Sequence, residues 1–274
     1  MSELRHTCLA FLSLADPNEK ALQVQNLAPG WALDVQAVWP EPEGLPGRPA
    51  RPVLLPHTAI KPARLNTPEG HAALLHSVCH IEKNAVDLAL DVIWRFAGMP
   101  DDFYRDWWRV AQEEALHYTL LRDHLRSLGF DYGDFPAHTG LWDMAERTRH
   151  DVLARVALVP RTLEARGLDA SPAVKTKLVS IGDHRAGEIL DIILRDEIGH
   201  VAVGNRWYGW LCAQRGLDPV TTYPELTQRY EAPRLKAPFN IAARAQAGFT
   251  ELELRQLQEL THVPSMNPAA VAAL

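Results

Sequence analysis

Two short motifs place a carboxylate and an imidazole three residues apart: Glu114-Ala-Leu-His117 and Glu197-Ile-Gly-His200. On an α-helix, residues i and i+3 share a face, so each pair can present an oxygen and a nitrogen donor to one point. The pattern alone is weak, because a chain with twelve histidines meets it by coincidence. Glu3/His6 and Glu259/His262 also satisfy it and read as surface coincidences. The order around the central pair says more. A lone Glu82 precedes the first motif by thirty-two residues, and a lone Glu164 precedes the second by thirty-three. Two helix-Glu, helix-ExxH halves packed about a pseudo-twofold axis would turn four carboxylates and two imidazoles inward. That is the donor set of di-iron and di-manganese carboxylate proteins. Unpartnered carboxylates on an apolar stripe cost several kcal/mol each to bury, a cost that two divalent cations would offset. The competing reading pairs the glutamates with arginines such as Arg161.

The elements that must carry these residues are helical. Thr67-Pro68-Glu69 supplies an N-cap, a proline at the first helical position and an early carboxylate. The first long helix runs from there to about Phe96, before Gly98 and Pro100. Asp101-Asp102 opens a second, which ends at Gly129. A third is expected from about Leu141 to Arg166, stopping at Gly167. A fourth is expected from Ser171-Pro172 to about Arg215, with a break near Gly182 or Gly187 and a stop at Gly216. Each is long enough to span about 40 Å. Leu75, Val78 and Ile93 share the stripe of Glu82, while Val110, Leu121 and Leu125 share that of Glu114 and His117. Ile193, Val201 and Trp207 lie close to the stripe of Glu197 and His200. The connection Phe130–Gly140 can reach about 35 Å if extended, enough to run the length of a bundle instead of forming a hairpin. One long crossover between helices two and three is the ferritin-like topology. The expected fold is therefore all-α: a ferritin-like four-helix bundle over residues 67–216. A segment over 1–66, ending in a proline-rich arm, packs on it, and a tail over 217–274 carries a short helix near Thr250–Leu260. In the first segment, residues 1–28 read as a short helix or strand and then a helix. In the arm, Trp31, Trp39, Val53, Leu54 and Leu55 favour burial. Pro160, one turn before Glu164, should distort helix three and open room at the donors. His76 and His80 stand off the Glu82 face and read as packing histidines, while His138 is a candidate for lining an entrance.

The formal charge of −6 does not favour a nucleic-acid partner. No apolar run reaches the ~20 residues that span a bilayer. Cys8, Cys79 and Cys212 are sparse and form no CxxC pair, which suits a reducing compartment, and the cytoplasm is expected.

Several segments resemble the ferritin-like DUF455 family: His80-Ile-Glu82 with Ala85–Asp91, Asp131–His138, Leu163–Asp169, Glu197–His200, Pro238-Phe-Asn240 and the Pro46–Pro52 arm. The resemblance covers nearly the whole chain, without departure at Glu82, Glu114, His117, Glu164, Glu197 or His200. It implies a dinuclear metal centre on those six residues and names no substrate. Wider similarity to bacterial multicomponent monooxygenases and ribonucleotide reductase radical subunits implies that the acid before each ExxH motif orients the other motif's histidine. Asp196 would then hold His117, and Glu113 would hold His200. Tyr118, one turn from Glu114, is either a redox or hydrogen-bonding neighbour or a tyrosine of the core.

Two iron ions are expected, with manganese or a mixed Mn/Fe pair as the alternative. The expected function is an O2-dependent oxidase or oxygenase, whose partners are O2, a small-molecule substrate and an electron donor; an oligomer is compatible. The competing classes are ferroxidase-type metal handling, a helical scaffold with a structural metal, and RNA hydroxylation, by similarity to the tRNA-hydroxylating ferritin-like enzymes.

Overall fold

Thr67 caps the first long helix as its sequence requires: its Oγ1 accepts the Gly70 N–H at 3.0 Å. Gly70 is needed there, since a Cβ would stand 1.9 Å from the Arg64 carbonyl oxygen. The computed structural model describes residues 3–56, 59–60 and 64–262; residues 57, 58 and 61–63 of the arm, and the tail beyond 262, lie outside them. Among the described residues the chain is all-α, with two isolated β-bridges, Glu3 to Ala32 and Leu54 to Ala137. In chain order the helices are α1 (Leu4–Leu12), α2 (Pro17–Asn26), α3 (Pro68–Arg95), α4 (Asp101–Ser127), α5 (Gly140–Arg147) and α6 (Val152–Leu158). A π-turn (Val159–Glu164) leads into α7 (Ala165–Ser180), and then come α8 (His184–Gln214), α9 (Pro219–Arg229), α10 (Ile241–Gln246) and α11 (Glu251–His262). No helix among the described residues is long and apolar enough to cross a membrane.

α3 packs on α4, α4 on α8, and α8 on the run from α6 through the π-turn to α7. The expected bounds of the first two long helices hold, and positive φ at Gly98 and Gly129 ends each run in the left-handed region. The third does not start at Leu141. Gly140–Arg147 is a separate helix, and Asp151 recaps the chain by accepting the Leu153 N–H at 3.0 Å. The connection after α4 is thus longer than the expected eleven residues and carries α5.

The expected stop at Gly167 and restart at Ser171-Pro172 are both overturned, because α7 runs through Gly167 and Pro172 without interruption. Proline at 172 has no N–H for the Leu168 carbonyl. Asn240, from the tail, supplies it instead, its Nδ2 donating to Leu168 O at 3.2 Å. The break falls at Gly182 (φ +89°), and Asp183 caps α8 through the Ala186 N–H.

Trp31, Trp39 and Leu45 of the arm pack against the core, as does α1. Buried Arg5 donates to the carbonyls of Ile93 and Trp94, which lack intrahelical partners at the end of α3, and to those of Asp34 and Ala37 in the arm. Val53, expected to be buried, is 60% exposed; its backbone carbonyl accepts the Ala137 N–H, and this contact with the crossover turns its side chain outward. The tail holds more helix than the one expected near Thr250. Asp218 with Pro219 starts α9, and Asn240 caps α10.

Candidate metal centre

The four helical runs bring together Glu82 from α3, Glu114 and His117 from α4, Glu164 from the π-turn, and Glu197 and His200 from α8. All six are buried. Glu82, Glu114, His117 and Glu197 each offer a donor atom within 4.8 Å of the others. His117 Nδ1 lies 3.3 Å from Glu82 Oε2 and 3.4 Å from Glu114 Oε2. His200 Nδ1 lies 2.9 Å from Glu114 Oε1 and 3.7 Å from Glu197 Oε1. The two imidazoles stand 5.8 Å apart.

Glu164 is not among those four residues, but it lies near enough to feel the charges of Glu197 and Glu114, and the π-turn sets where it stands. The extra residue in such a turn rotates the next stretch of helix by about 100° around the axis. Pro160 cannot donate to the regular helical ladder, and Thr162 Oγ1 satisfies the Ala157 carbonyl at 2.7 Å. Gly204 of α8 leaves room for the turn, as a Cβ there would meet Pro160 Cβ at 2.8 Å. Arg161, the arginine that could have neutralised a glutamate, turns away to Glu253 and is enclosed by the rings of Tyr208, Tyr223 and Phe249.

The electrostatics arise from burying like charges together. Burial, and then the charge of Glu114, push the Glu82 carboxyl up to about 8. Burial and the charge of Glu197 raise Glu164 well above the carboxylate range, and burial with Glu114 raises Glu197. Burial would raise Glu114 too, but the imidazoles of His200 and His117 hold it well below its ordinary value. Burial opposes charge on the imidazoles, yet Asp196 and Glu114 raise His117, and Glu114 and Glu113 raise His200. Carboxylates gathered in this way need protons or cations to offset their mutual repulsion. Glu82 Oε2 and Glu114 Oε1 are met only by the facing imidazoles, at 3.3 and 2.9 Å, and the buried Glu164 Oε2 and Glu197 Oε2 make no hydrogen bond. Such orphaned atoms cost free energy unless something else meets them. Four carboxylates and two imidazoles suit iron, manganese or another divalent cation, so the residues fit the metal expected of them.

Outside this group, His117 Nε2 lies 3.1 Å from Asp196 Oδ2, and His200 Nε2 lies 2.8 Å from Glu113 Oε2. Arg195, which helical spacing does not single out, donates to both oxygens of Asp196 at 2.8 and 3.0 Å. Adjacent residues on a helix do not face each other by periodicity, so only the bare Arg195-Asp196-Glu197 run hinted at it. The Tyr118 hydroxyl is committed elsewhere than to the donors: it donates to Asn18 Oδ1 at 2.9 Å, and the ring meets Tyr132 edge-on. Buried in the core, Tyr118 fastens α2 to α4. His76 and His80 are packing histidines fastened to the crossover: His76 Nε2 accepts the Gly133 N–H at 2.9 Å, and His80 Nε2 donates to the His138 carbonyl.

The family described as "Protein of unknown function (DUF455)" matches residues 13–255. A Haemophilus influenzae protein described as "Uncharacterized protein" is 44% identical over 263 residues, which cover 91% of each chain. No solved structure matches.

Proposed function

The chain belongs to the DUF455 family, and from the cluster at its centre we propose a ferritin-like four-helix bundle holding two iron ions that oxidises a small molecule with O2. The observation that carries this reading is the convergence of buried Glu82, Glu114, His117 and Glu197, each with a donor atom within 4.8 Å of the others. Four carboxylates balance two divalent cations, so a loaded centre needs no further buried counter-ion. Glu82, Glu114, Glu164 and Glu197 would hold the ions with His117 and His200. The ions would supply electrons to O2.

The protein's own part is to orient and to move protons. Asp196 and Glu113 each accept an Nε2–H, which leaves the Nδ1 lone pair of the histidine directed inward. Loading displaces protons from Nδ1 and from Glu82, Glu164 and Glu197, so uptake of metal should release protons to solvent. Three buried free thiols suit a reducing compartment, and we place the protein in the cytoplasm.

Anaerobic protein given Fe(II) should bind about two ions per chain, then consume O2 and develop near-ultraviolet charge-transfer absorption in aerated buffer. His117→Ala and His200→Ala should lose the signal. His6→Ala, in a coincidental motif on α1, should keep it. A loaded protein that stays silent in O2 would discard the oxidase and leave a structural metal in its place.

A further inference from the structure

The arm and the crossover close over α3 and leave a small, open-mouthed recess there. His80, Lys83, Asn84 and Tyr132 line it, and Arg48 stands at its rim. His80 and Asn84 lie about 200° around the helix from Glu82, so the recess faces away from the candidate metal centre and owes nothing to it.

Its charge is unbalanced. Lys20 Nζ and Lys83 Nζ both lie 2.5 Å from the carboxylate of Asp87, and all three side chains are buried. Two ammonium groups therefore share one carboxylate. Lys20 spends its other donors on the carbonyls of Leu12 and Gly47. Lys83 gives one N–H to Asp87 and lines the recess. Arg48 is exposed and has no ion pair among the described residues, so it adds a second positive charge. No acidic side chain among the described residues lines the space. His80 does not change the balance, because its Nδ1 accepts from a hydroxyl and its Nε2 donates to a carbonyl, as a neutral imidazole does. Its ring is held on both sides, Nε2 by the His138 carbonyl and Nδ1 by the Tyr132 hydroxyl. One buried positive charge is thus in surplus beside the recess, and the exposed Arg48 guanidinium adds a second at its mouth.

We infer that this recess binds a phosphate group, as free phosphate or as a small phosphate monoester, held between Lys83 and Arg48. A dianion can meet the buried Lys83 and the exposed Arg48 together, whereas a single carboxylate would meet only one of them. Charge-assisted bonds from ammonium and guanidinium groups are the usual means of holding phosphate.

Calorimetric titration of the full chain with inorganic phosphate, at pH 7.5 and fixed ionic strength, should show one site per chain that depends on these two residues. Arg48→Ala, a change at an exposed side chain, should weaken it about tenfold or more. Lys83→Met should do the same, and it leaves Lys20 and Asp87 as a balanced pair, so the fold is expected to survive. Arg185→Ala, elsewhere on the surface, should bind phosphate as the parent does. Phenyl phosphate binding more tightly than inorganic phosphate would identify a monoester as the occupant, and equal binding would identify the free ion. Phosphate binding that Arg48→Ala leaves intact belongs elsewhere, at bound metal for instance, and overturns the inference, as does no binding at all.

Discussion

At the scale of single residues, the two imidazoles do the orienting. Each turns Nδ1 toward the glutamates and Nε2 toward an acid on the opposite helix, so α4 and α8 brace one another through His117–Asp196 and His200–Glu113. Asp196 is the firmer brace, since it is the more buried of the two acids and Arg195 grips both its oxygens. Removing such a partner from a ligating histidine typically costs about 10–100-fold in metal affinity. Asp196→Ala should therefore weaken Fe(II) binding by that factor, read by competition with a chromophoric chelator, with little change in helicity. Asp196→Asn, which can still accept the Nε2–H, should fall between. Affinity in Asp196→Ala equal to the parent's would remove the bracing role.

At the scale of elements, the pieces the sequence displays differ from those it conceals, and the third helical run shows why. α3, α4 and the end of α8 announce themselves through local chemistry: Thr67-Pro68, Asp101-Asp102, and glycines at 98, 129 and 216 that stop each run. The matched spacing of Glu82, Glu114, Glu164 and Glu197 is likewise a local property, and those residues share one interior. The third run is decided from a distance. Gly167 and Pro172 are breakers by any local rule, yet α7 continues because Asn240 meets the Leu168 carbonyl that Pro172 abandons. Tyr118 is concealed for the same reason: helical spacing sets its distance from Glu114, but the docking of Asn18 on α2 sets its direction. Asn240→Ala should leave Leu168 O without its donor, at about 1–3 kcal/mol, and should lose the α10 cap, at about 1 kcal/mol. Adding Pro172→Ala restores an N–H for that carbonyl and should recover the first part but not the second. Chemical denaturation of the four proteins gives the coupling directly. Strictly additive losses would mean that Asn240 does not sustain α7.

At the scale of the whole molecule, two histidines of α3 tie the long helices to the crossover and make the union sensitive to acid. His76 is buried and accepts from Gly133; His80 is buried between Tyr132 and His138. Burial lowers each pKa to about 4, from an ordinary value near 6.5. The folded pKa lies below the unfolded one, so as pH falls the unfolded chain takes up these protons first. The stability they contribute is fully present above about pH 6.5 and is lost as pH falls toward 4, by up to about 3 kcal/mol for each histidine. Two such losses are a large share of the 5–15 kcal/mol typical of a folded protein. The carboxylates and imidazoles of the candidate metal centre titrate as well, so the parent's acid sensitivity alone would not isolate this effect. His76→Gln does isolate it, because a side-chain amide cannot titrate and its oxygen can still accept the Gly133 N–H. Urea midpoints measured from pH 7.5 to 4.5 should fall for both proteins but less steeply for His76→Gln, and the gap should open below about pH 6.5. Parallel curves would show that His76 titrates alike in the folded and unfolded chain, and the crossover would then owe none of its acid sensitivity to that contact.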